Sequence, residues 1–564
     1  MASYDLALFH APSVYDFRKA FMFKSVISEV IPSFSVFDMY PYGFLTLTTW
    51  LTRKGYKVGL FNIAAKMMLD RDYDPLKTIR EVDAKVYGID LHWLVHAHGA
   101  IEVAKLIKRE HPDSLVIFGG ISSTYYWREL LDYKFIDAVV LGDTTEPVVE
   151  KLLKSVETGK EPNFRGLAYK WDGRIKFTGL PEPVTSLDQF KIDHGLLVKL
   201  AIKERDLCLV SPYSAFIEAP ISAVITIKGC PFSCVTCGGS FHSYMNIFGR
   251  KRLAVKGNDA ILEEVLSIAS LSKMTIFFVG DLRLGRGLEG AIRLLKELKR
   301  YDLENPLMFE FFAPPPKELL KAMREAASTV YLQISPESQD ENVRRAFGRP
   351  YGNDSLERFV RNSSEMGFDR LDLYFMVGLP YQTPQVVHNL HKYVERLFNQ
   401  YDRLDAFVSP LAPFVDPGSL AFENPQAFGY KLLFKDLESH RRALTEKHWG
   451  FTLNYETYWM NRGDIVRATM KEYLNMGRVK LENGIISQEM YQLMKEKVDI
   501  DLSLYNALSK GMKINEDEIV DKLRDLDERR EVLLKKELYP CDSLINTLKV
   551  PRPIKAILGV LARF

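Results

Sequence analysis

The stretch ISAVITIKGCPFSCVTC, residues 221–237, places Cys230, Cys234 and Cys237 in C-x3-C-x2-C spacing directly after a run of apolar, β-branched residues. Thiolates bind iron or zinc, so three of them on one loop predict a metal centre. A structural zinc site is normally closed by a fourth cysteine or histidine. The nearest candidates are His242 and Cys208, and Cys208 lies on the far side of the strand. The spacing therefore favours a [4Fe–4S] cluster with one open iron over zinc or three buried cysteines.

Strand-like runs recur at regular intervals from the cysteine loop onward. Amphipathic helical patterns such as AIRLLKELKR (291–300) separate most of these runs. Six such units predict a partial (β/α)6 barrel over residues 216–420, with its active site at the carboxyl ends of the strands. The predicted barrel strands are residues 221–229, 274–280, 306–313, 329–336, 370–378 and 403–411.

Residues 1–157 form an earlier α/β series with five short strand patterns. This alternation predicts a flavodoxin-like (Rossmann-type) domain, whose ligands lie at the carboxyl ends of parallel strands. Two turns after predicted strands, GGISST (119–124) and GDTTEP (142–147), combine glycines with hydroxyl groups. Ordinary turns with helix N-caps share this composition, so a ligand cleft and a purely structural role both remain open. The predicted strands are residues 5–11, 56–64, 85–93, 114–120 and 137–143.

The other two segments are less regular. Residues 158–215 are rich in turn signals and predict a linker that contains a small hairpin. Residues 421–564 predict a mainly helical domain, in which residues 516–538 form a helix with a solvated, charged face. The final segment, residues 551–564, predicts a short amphipathic helix that packs on the body of the protein.

Composition narrows the class of protein. The chain has 564 residues, and its formal net charge of +2 creates no field that would attract nucleic acid. The amino terminus does not resemble a signal peptide, and no apolar run approaches the ~20 residues of a membrane-spanning helix. Five cysteines, including Cys208 and Cys541, make a disulfide framework improbable. We therefore expect a cytoplasmic protein of two to four domains.

The cysteine loop resembles that of the radical S-adenosylmethionine (SAM) superfamily, in which C-x3-C-x2-C follows the first barrel strand. In that family the open iron chelates SAM, and reductive cleavage of SAM yields a 5′-deoxyadenosyl radical. Family members usually carry an aromatic residue before the last cysteine, where this chain has Thr236. The resemblance places the SAM contacts at the ends of the second, fourth and fifth barrel strands. The implied SAM-binding residues are Gly280, Asp281, Ser335, Glu337, Ser338 and Gly378.

A flavodoxin-like domain directly before such a barrel resembles the cobalamin-binding subfamily. In that subfamily the GG-x-x-S-T and G-D-x-x-E elements contact the corrin and its nucleotide tail. The resemblance therefore implies a cobalamin site on the first domain. Its residues would be Gly119, Gly120, Ser122, Ser123, Thr124, Gly142, Asp143 and Glu146.

Histidines near these turns are candidates for the lower cobalt ligand. Asp90-Leu-His92-Trp-Leu-Val95 partly matches the D-x-H-x-x-G motif of another class of cobalamin methyltransferases, but Val95 replaces the glycine. A structural, hydrogen-bonded role is the favoured interpretation for His92, and His10 at the end of the first strand is equally open. His96 and His98, at a predicted helix start, are interpreted as caps or surface residues.

The combined resemblance implies a cobalamin-dependent radical SAM C-methyltransferase. Such an enzyme moves a methyl group from SAM, through methylcobalamin, to an unactivated carbon, and it needs an external electron donor. Tyr374, on the fifth barrel strand, is the candidate catalytic residue, with a core aromatic as the alternative. The length and domain order resemble archaeal members that methylate a glutamine side chain of methyl-coenzyme M reductase. That resemblance implies a protein substrate and a post-translational modification.

Two other functions remain open at this stage. One is a cobalamin-binding radical SAM enzyme that catalyses a cyclisation or rearrangement without methyl transfer. The other is a non-catalytic iron–sulfur or cobalamin carrier or sensor. A methylthiotransferase is disfavoured, because the leading domain of that class carries its own three cysteines and the first 207 residues here contain none.

Overall fold

The computed structural model describes residues 3–19, 21–23, 36–411, 413–537 and 543–549. Its N-terminal sheet consists of strands β1 (Ser3–His10), β2 (Val58–Asn62), β3 (Asp83–Asp90), β4 (Leu115–Gly119), β5 (Ala138–Val140), β6 (Leu167–Trp171) and β7 (Arg174–Phe177). The strand order is β2-β1-β3-β4-β5-β6-β7, and β1 to β5 run parallel. The five predicted N-terminal strands and the doubly wound fold are thus confirmed.

Helices cover both faces of this sheet. Alternate residues of β1 enter two separate cores, with Ala7 and Phe9 on one face and Leu6 and Leu8 on the other. Burial on both faces explains why the strands read as nearly continuous apolar runs. The helices are α1 (Tyr42–Arg53), α2 (Ile63–Leu69), α3 (Pro75–Glu81), α4 (Ala97–Glu110), α5 (Ile121–Tyr125), α6 (Trp127–Asp132) and α7 (Glu146–Thr158).

The segment predicted as a linker is part of the folded body. Its predicted hairpin is β6–β7, but β6 pairs antiparallel with β5 and so extends the N-terminal sheet. Pairing satisfies the backbone groups that would otherwise be exposed along the edge of β5. Helix α8 (His194–Glu204) then contacts α1 and the helix of residues 258–271, which joins the first domain to the barrel.

The central domain is the predicted partial barrel. Its strands are β8 (Ile221–Ile225), β9 (Ile227–Lys228), β10 (Ala254–Val255), β11 (Thr275–Val279), β12 (Leu307–Phe311), β13 (Val330–Glu337), β14 (Arg370–Val377) and β15 (Leu404–Pro410). Six of them form a parallel sheet in the order β15-β14-β13-β12-β11-β8, while β9 and β10 form a small antiparallel pair. The helices are α9 (Phe241–Phe248), α10 (Asn258–Leu271), α11 (Gly287–Lys299), α12 (Lys317–Ala326), α13 (Glu341–Phe347), α14 (Asn353–Glu365), α15 (Pro384–His388) and α16 (Leu390–Phe398).

The C-terminal region is helical except for one hairpin that the sequence did not predict. The strands are β16 (Tyr430–Leu432) and β17 (Tyr455–Thr457), which pair antiparallel across a long connection. The helices are α17 (Leu420–Glu423), α18 (Leu437–Ala443), α19 (Trp449–Thr452), α20 (Arg462–Glu482), α21 (Gln488–Ser509), α22 (Glu516–Glu537) and α23 (Leu544–Thr547). The helix predicted at residues 551–564, like Cys541, lies outside the described residues. Among the described helices, none combines the length and apolarity needed to cross a membrane.

Candidate functional site

The three cysteines share one tight loop between β9 and α9, at the carboxyl end of the first barrel strand. Cys230, Cys234 and Cys237 are all free thiols. The Cys237 amide donates to the Cys234 carbonyl (3.2 Å), and the Gly239 amide donates to Cys237 Sγ (3.3 Å). Backbone donors to sulfur are among the means by which proteins tune iron–sulfur clusters.

Burial keeps these thiols neutral in the absence of a metal. It raises the pKa of Cys230, raises that of Cys234 to about 11, and raises that of Cys237 as well. A coordinating cation deprotonates such thiols outright. The loop therefore has the donor chemistry of a metal centre and lacks that of a solvent-exposed reactive thiol.

Neighbouring elements fix the cysteine loop from several sides. The Val235 amide donates to the Phe347 carbonyl (2.9 Å), and the Ala421 amide donates to the Val235 carbonyl (2.7 Å). Gly348, with φ of +117°, packs so closely that a Cβ there would lie 2.9 Å from Cys234 Cα. The loop is thus held by the end of α13 and the start of α17.

Thr236 and Phe232 take different positions in this loop. Thr236 is buried, and its carbonyl accepts a hydrogen bond from the Asp416 amide (3.2 Å). Phe232 lies against Phe312, with ring centroids 6.0 Å apart. The aromatic surface near the cluster loop therefore comes from Phe232 and Phe312, while Thr236 serves the backbone contact to Asp416.

The inner face of the barrel is polar. On β14, Leu373 and Phe375 enter the core shared with the surrounding helices, so Tyr374 points to the opposite, inner face. Tyr374 is half-buried and stacks on Phe407 with ring centroids 5.2 Å apart. Its position agrees with the predicted orientation, and its catalytic role stays a prediction. By the same alternation the inner face carries Glu310, Gln333, Ser335, Asp372, Tyr374 and Asp405.

Asp281 and Glu310 both lie beside Gly280, where the resemblance implies contacts to SAM. Asp281 is 1 % exposed and accepts hydrogen bonds from the guanidinium of Arg283, two residues along the chain. Gly280, with φ of +90°, turns its amide to the Glu310 carboxylate. Burial raises the pKa of Glu310 to about 7, although the Gly280 amide and Arg349 favour its charged form. Sequence reasoning missed Glu310, although a carboxylate inside the apolar run PLMFEFFA (306–313) is a signal that could have identified it.

Arg349 and Glu337 form a second buried pair beside the cysteines. The Arg349 guanidinium lies over the rings of Phe312 (4.7 Å) and Phe232 (5.6 Å), and it donates to Glu337 Oε1 (3.2 Å). Burial raises the pKa of Glu337 to about 7, opposed by Arg349. The Nε of Arg349 is buried without a partner among the described residues. Sequence reasoning missed Arg349, which no local motif distinguishes.

The two predicted serines and Gly378 differ in how far they can reach a ligand. Ser335 is half-buried on the inner face, whereas Ser338 is buried and its hydroxyl accepts from the Asp340 amide (3.2 Å). Gly378, with φ of +105°, lies under Tyr455, so that a Cβ would fall 2.2 Å from the tyrosine hydroxyl. The C-terminal hairpin therefore closes the barrel at Gly378.

In the first domain, the GGISST turn lies at the edge where β4 ends. A Cβ on Gly119 would meet no atom within 4 Å, so the backbone is open there, whereas Gly120 (φ +118°) packs against His92. Ser123 and Thr124 are buried and donate to the carbonyls of Gly119 and Gly120, both at 3.0 Å. Ser122 is buried in the same short helix. The predicted residues are brought together, with Gly119 the most open of them.

Asp143 joins the two domains. Its carboxylate binds the Arg250 guanidinium through both oxygens, and its carbonyl accepts from Lys228 (2.8 Å). The preceding Gly142 (φ +112°) packs against a proline ring, and Glu146 is buried with its Oε1 on Thr46 (2.5 Å). Glu146 Oε2 has no partner among the described residues. Asp143 therefore makes an interdomain contact, while Glu146 Oε2 remains able to accept a hydrogen bond.

A histidine cluster fills the switch point between β1 and β3. Asp90 accepts from His10 Nδ1 (2.9 Å) and His92 Nδ1 (2.6 Å), and His10 Nε2 contacts the Phe37 carbonyl (3.1 Å). Burial disfavours the charged ring of His10, but Asp90 outweighs it and raises the pKa. Both His10 nitrogens are therefore committed to acceptors, which removes His10 as a cobalt ligand.

His92, His96 and His98 have separate positions. His92 is one-third exposed and is held by Asp90 through one nitrogen only. His96 occupies the N-cap position of α4, as predicted, although its side chain makes no capping hydrogen bond. The surface interpretation was wrong for it, because it is buried with its ring centroid 4.8 Å from that of His10. His98 is half-buried and accepts from the Tyr15 amide (3.2 Å).

The two strand-end edges face each other. Trp93 Nε1, from the loop after β3, donates to Asp416 Oδ1 (3.3 Å), and Asp416 Oδ2 accepts from the Gly238 amide (2.9 Å) beside Cys237. Burial raises the pKa of Asp416 to about 6. Helix α5 of the first domain also contacts α9, which follows the cysteines. The histidine and glycine turns and the cysteine loop therefore lie next to each other across the boundary between the two domains.

The residues present fit the three implied groups. Three free thiols on an amide-rich loop suit an iron–sulfur cluster. The unpartnered Nε of Arg349 and the buried carboxylate of Glu310 suit the carboxylate and amino groups of SAM. The open backbone at Gly119 suits a close approach by a large planar ligand such as a corrin.

Two family models match the chain in the order of its domains. The B12 binding domain matches residues 33–152, and the Radical SAM superfamily matches residues 224–394. An uncharacterized methyltransferase of Pyrococcus horikoshii is 27 % identical over 336 residues, which is 58 % of this chain and 68 % of that protein. The hopanoid C-3 methylase of Methylococcus capsulatus is 24 % identical over 47 % of each chain.

Solved structures share the fold of the whole chain. The radical SAM methyltransferase TsrM from Kitasatospora setae has a TM-score of 0.54 at 16 % identity, covering 76 % of this chain and 79 % of that one. The cobalamin-dependent SAM radical enzyme OxsB has a TM-score of 0.53 at 12 % identity, covering 96 % and 82 %. A shorter match, 30 % over 139 residues, links the chain to the anaerobic magnesium-protoporphyrin IX monomethyl ester cyclase of Rubrivivax gelatinosus, covering 24 % and 23 %.

Proposed function

This chain belongs to the cobalamin-dependent radical SAM methyltransferase family, and on that premise we propose that it transfers a methyl group from SAM to an unactivated carbon of a protein, a glutamine side chain of methyl-coenzyme M reductase. The observation that carries the methyl-transfer step is the contact between the strand-end edges of the two domains. The loop that holds Trp93 and the cysteine loop are joined through Asp416, which accepts from Trp93 and from the Gly238 amide. Two cofactors bound at these edges would meet one substrate.

The bound groups would supply radical and methyl-transfer chemistry, and the chain's own residues bind and orient them. Cys230, Cys234 and Cys237 would hold the cluster. Arg349, fixed between two aromatic rings and Glu337, would bind the SAM carboxylate through its unpartnered Nε. Glu310 would accept a hydrogen bond from the SAM amino group.

Contacts around the two edges would help to exclude water from the bound cofactors. The Asp143–Arg250 pair is nearly fully buried, and Tyr455 seals the barrel at Gly378. Exclusion of water protects reactive species from side reactions. An external electron donor would reduce the cluster.

A protein substrate is supported by an open cavity of about 820 Å³ beside the C-terminal hairpin. Tyr381 and Tyr458 line this cavity and are 60 % and 62 % exposed. The ring centroids of Trp459 and Tyr381 lie 4.6 Å apart. Exposed aromatic side chains of this kind are enriched at protein–protein interfaces. The choice of glutamine rests on the length and domain order of the chain.

The test is anaerobic reconstitution with iron, sulfide and cobalamin, followed by incubation with reductant, methyl-deuterated SAM and glutamine-containing peptides of methyl-coenzyme M reductase. We expect one labelled methyl group on the glutamine side chain, with both S-adenosylhomocysteine and 5′-deoxyadenosine as co-products. A scrambled peptide is the control. Methylation of both peptides alike would contradict the substrate assignment.

The match to a protoporphyrin ester cyclase favours one alternative, radical chemistry without methyl transfer. In that case 5′-deoxyadenosine would form without any methylated product. A carrier or sensor would bind both cofactors and cleave no SAM. The same assay therefore separates all three functions.

A further inference from the structure

A cluster of two histidines and one glutamate lies outside the site described above. His388 ends α15 and His391 lies in the first turn of α16, three residues apart, so their rings share one helix face with centroids 5.1 Å apart. Glu472 comes from the middle of α20 and faces them. One ligand atom from each residue lies within 4.8 Å of the other two.

Glu472 is fully buried, and its charge is poorly compensated. Its carboxylate accepts from the His391 amide and from His391 Nδ1 (3.0 and 3.1 Å), and its Oε2 also accepts from Asn475 (3.1 Å). Among the described residues, no lysine or arginine lies within ion-pair distance of it. A buried carboxylate needs a cation, which here is either a protonated imidazole or a metal ion.

His388 distinguishes these two cations. Its Nδ1 lies 3.9 Å from Glu472 Oε2, too far for a hydrogen bond but near the spacing of about 3.4 Å between two ligands of one tetrahedral ion. The side-chain amide of Asn475 lies 3.4 Å from the same Nδ1. A proton on His391 would account for the position of that histidine alone, whereas a metal ion would account for the positions of both histidines.

We propose that His388, His391 and Glu472 bind one divalent first-row cation of the zinc class. Imidazole nitrogens and a carboxylate oxygen are ligands that zinc prefers, and a water molecule would complete four-coordination on the solvent side, where His388 is 50 % exposed. Binding would replace the contact between His391 Nδ1 and the Glu472 carboxylate with two bonds to the ion. The proposal is independent of the methyltransferase function.

The location gives the ion a structural role. Helix α20 packs along β15, and its Lys480 reaches the inner-face residue Asp405 (2.6 Å). An ion between α15, α16 and α20 would fix this helix against the barrel, and with it the lysine that faces the inner surface.

The experiment measures zinc and iron together in the cluster-loaded full chain after zinc addition and desalting. We expect one zinc per chain with unchanged iron. A companion chain with Cys230, Cys234 and Cys237 all replaced by alanine, titrated with zinc in a calorimeter, removes thiolate competition.

Variants assign the ligands. Glu472→Gln should weaken zinc binding at least about 100-fold and His388→Ala at least about tenfold, since loss of a ligand exceeds the effect of an outer partner. His388→Ala is half-exposed and leaves the core intact, so its effect does not depend on misfolding. His111→Gln, a histidine bonded to the Ile79 carbonyl in the first domain, is the control and should bind as the parent does. Equal zinc affinity in all four chains, or none in the parent, would overturn the proposal.

Discussion

Two buried carboxylates on the inner face of the barrel, Glu310 and Glu337, give the SAM site its electrostatic character. Each has a pKa raised to about 7 by burial, so each changes charge close to neutral pH. Glu337 is paired directly with Arg349, whereas the charged form of Glu310 is favoured by the Gly280 amide, by Gln333 and by the more distant field of Arg349. Glu310 is therefore the carboxylate available to a cationic ligand.

This arrangement predicts a pH dependence of SAM binding. As the pH rises through 7, Glu310 loses its proton and gains the negative charge that attracts the SAM sulfonium and amino groups. The affinity of the cluster-loaded protein for SAM should rise about tenfold from pH 6 to pH 8, as for one group that must be ionised. Equilibrium dialysis at several pH values measures it.

Two substitutions isolate the contribution of Glu310. Glu310→Gln should remove most of the rise in affinity, because the amide does not titrate and only the effect of Glu337 on Arg349 remains. Asp281→Asn should leave the rise in place, since Asp281 is held by Arg283. A flat profile in the parent, or an equal change in both variants, would argue that another group controls binding.

Gly348 provides a prediction about the cysteine loop. Gly348→Ala would place a Cβ 2.9 Å from Cys234 Cα in a backbone region that already disfavours side chains. The loop must shift, so we expect reconstituted iron content to fall about twofold or more, given strain of a few kcal/mol. Iron and acid-labile sulfide per chain are the measurements.

The matched control is Gly484→Ala. Gly484 also has a positive φ, +69°, but a Cβ there would meet no atom within 4 Å. Gly484→Ala therefore introduces backbone strain without a steric clash like that between Gly348→Ala and Cys234. Equal iron loss in both variants would mean that strain alone, and not contact with Cys234, affects the cluster.

At the scale of elements, the strands could be predicted because each is a short apolar run whose burial is decided locally. Pairing across long sequence distances could not. β6 pairs with the edge of β5, and β16 pairs with β17 across more than twenty intervening residues. No local sequence pattern indicates either pairing. Side-chain partners that are distant in sequence could not be predicted for the same reason. Asp143, for example, contacts Arg250 only once the two domains are packed together.

The Asp143–Arg250 pair also predicts how strongly the domains are joined. Both side chains are more than nine-tenths buried, so Arg250→Met leaves a buried carboxylate uncompensated. We expect the free energy of unfolding of this interface to fall by about 3 kcal/mol. Urea denaturation measures this loss, and faster proteolysis within residues 178–193 should accompany it.

A double-mutant cycle separates pairing from packing. Asp143→Asn together with Arg250→Met removes both charges and should recover most of the loss. Additive losses in the double variant would show that the two residues stabilise the protein independently.

At the scale of the whole molecule, each cofactor edge is built by its own domain. The glycine turns belong to the first sheet and its two cores, while the cysteine loop is held by α13 and α17 of the later domains. The contacts that bring the edges together, Trp93 with Asp416 and Asp143 with Arg250, involve none of the cysteines. Binding of one cofactor should therefore survive loss of the other, although methyl transfer needs both.

Two variants test this separation. Cys230→Ala should lose the cluster and all SAM cleavage but keep one equivalent of cobalamin, measured from its absorption spectrum after desalting. Gly120→Val should do the reverse, because its side chain would enter the space of His92, whose Cα lies 2.5 Å from a Cβ at that position. That variant should retain the iron content of the parent and form 5′-deoxyadenosine from SAM, with methylated product reduced at least about 100-fold, as expected when a reacting group is missing. If Cys230→Ala also lost cobalamin, or Gly120→Val also lost iron, the two edges would have to be a single folding unit.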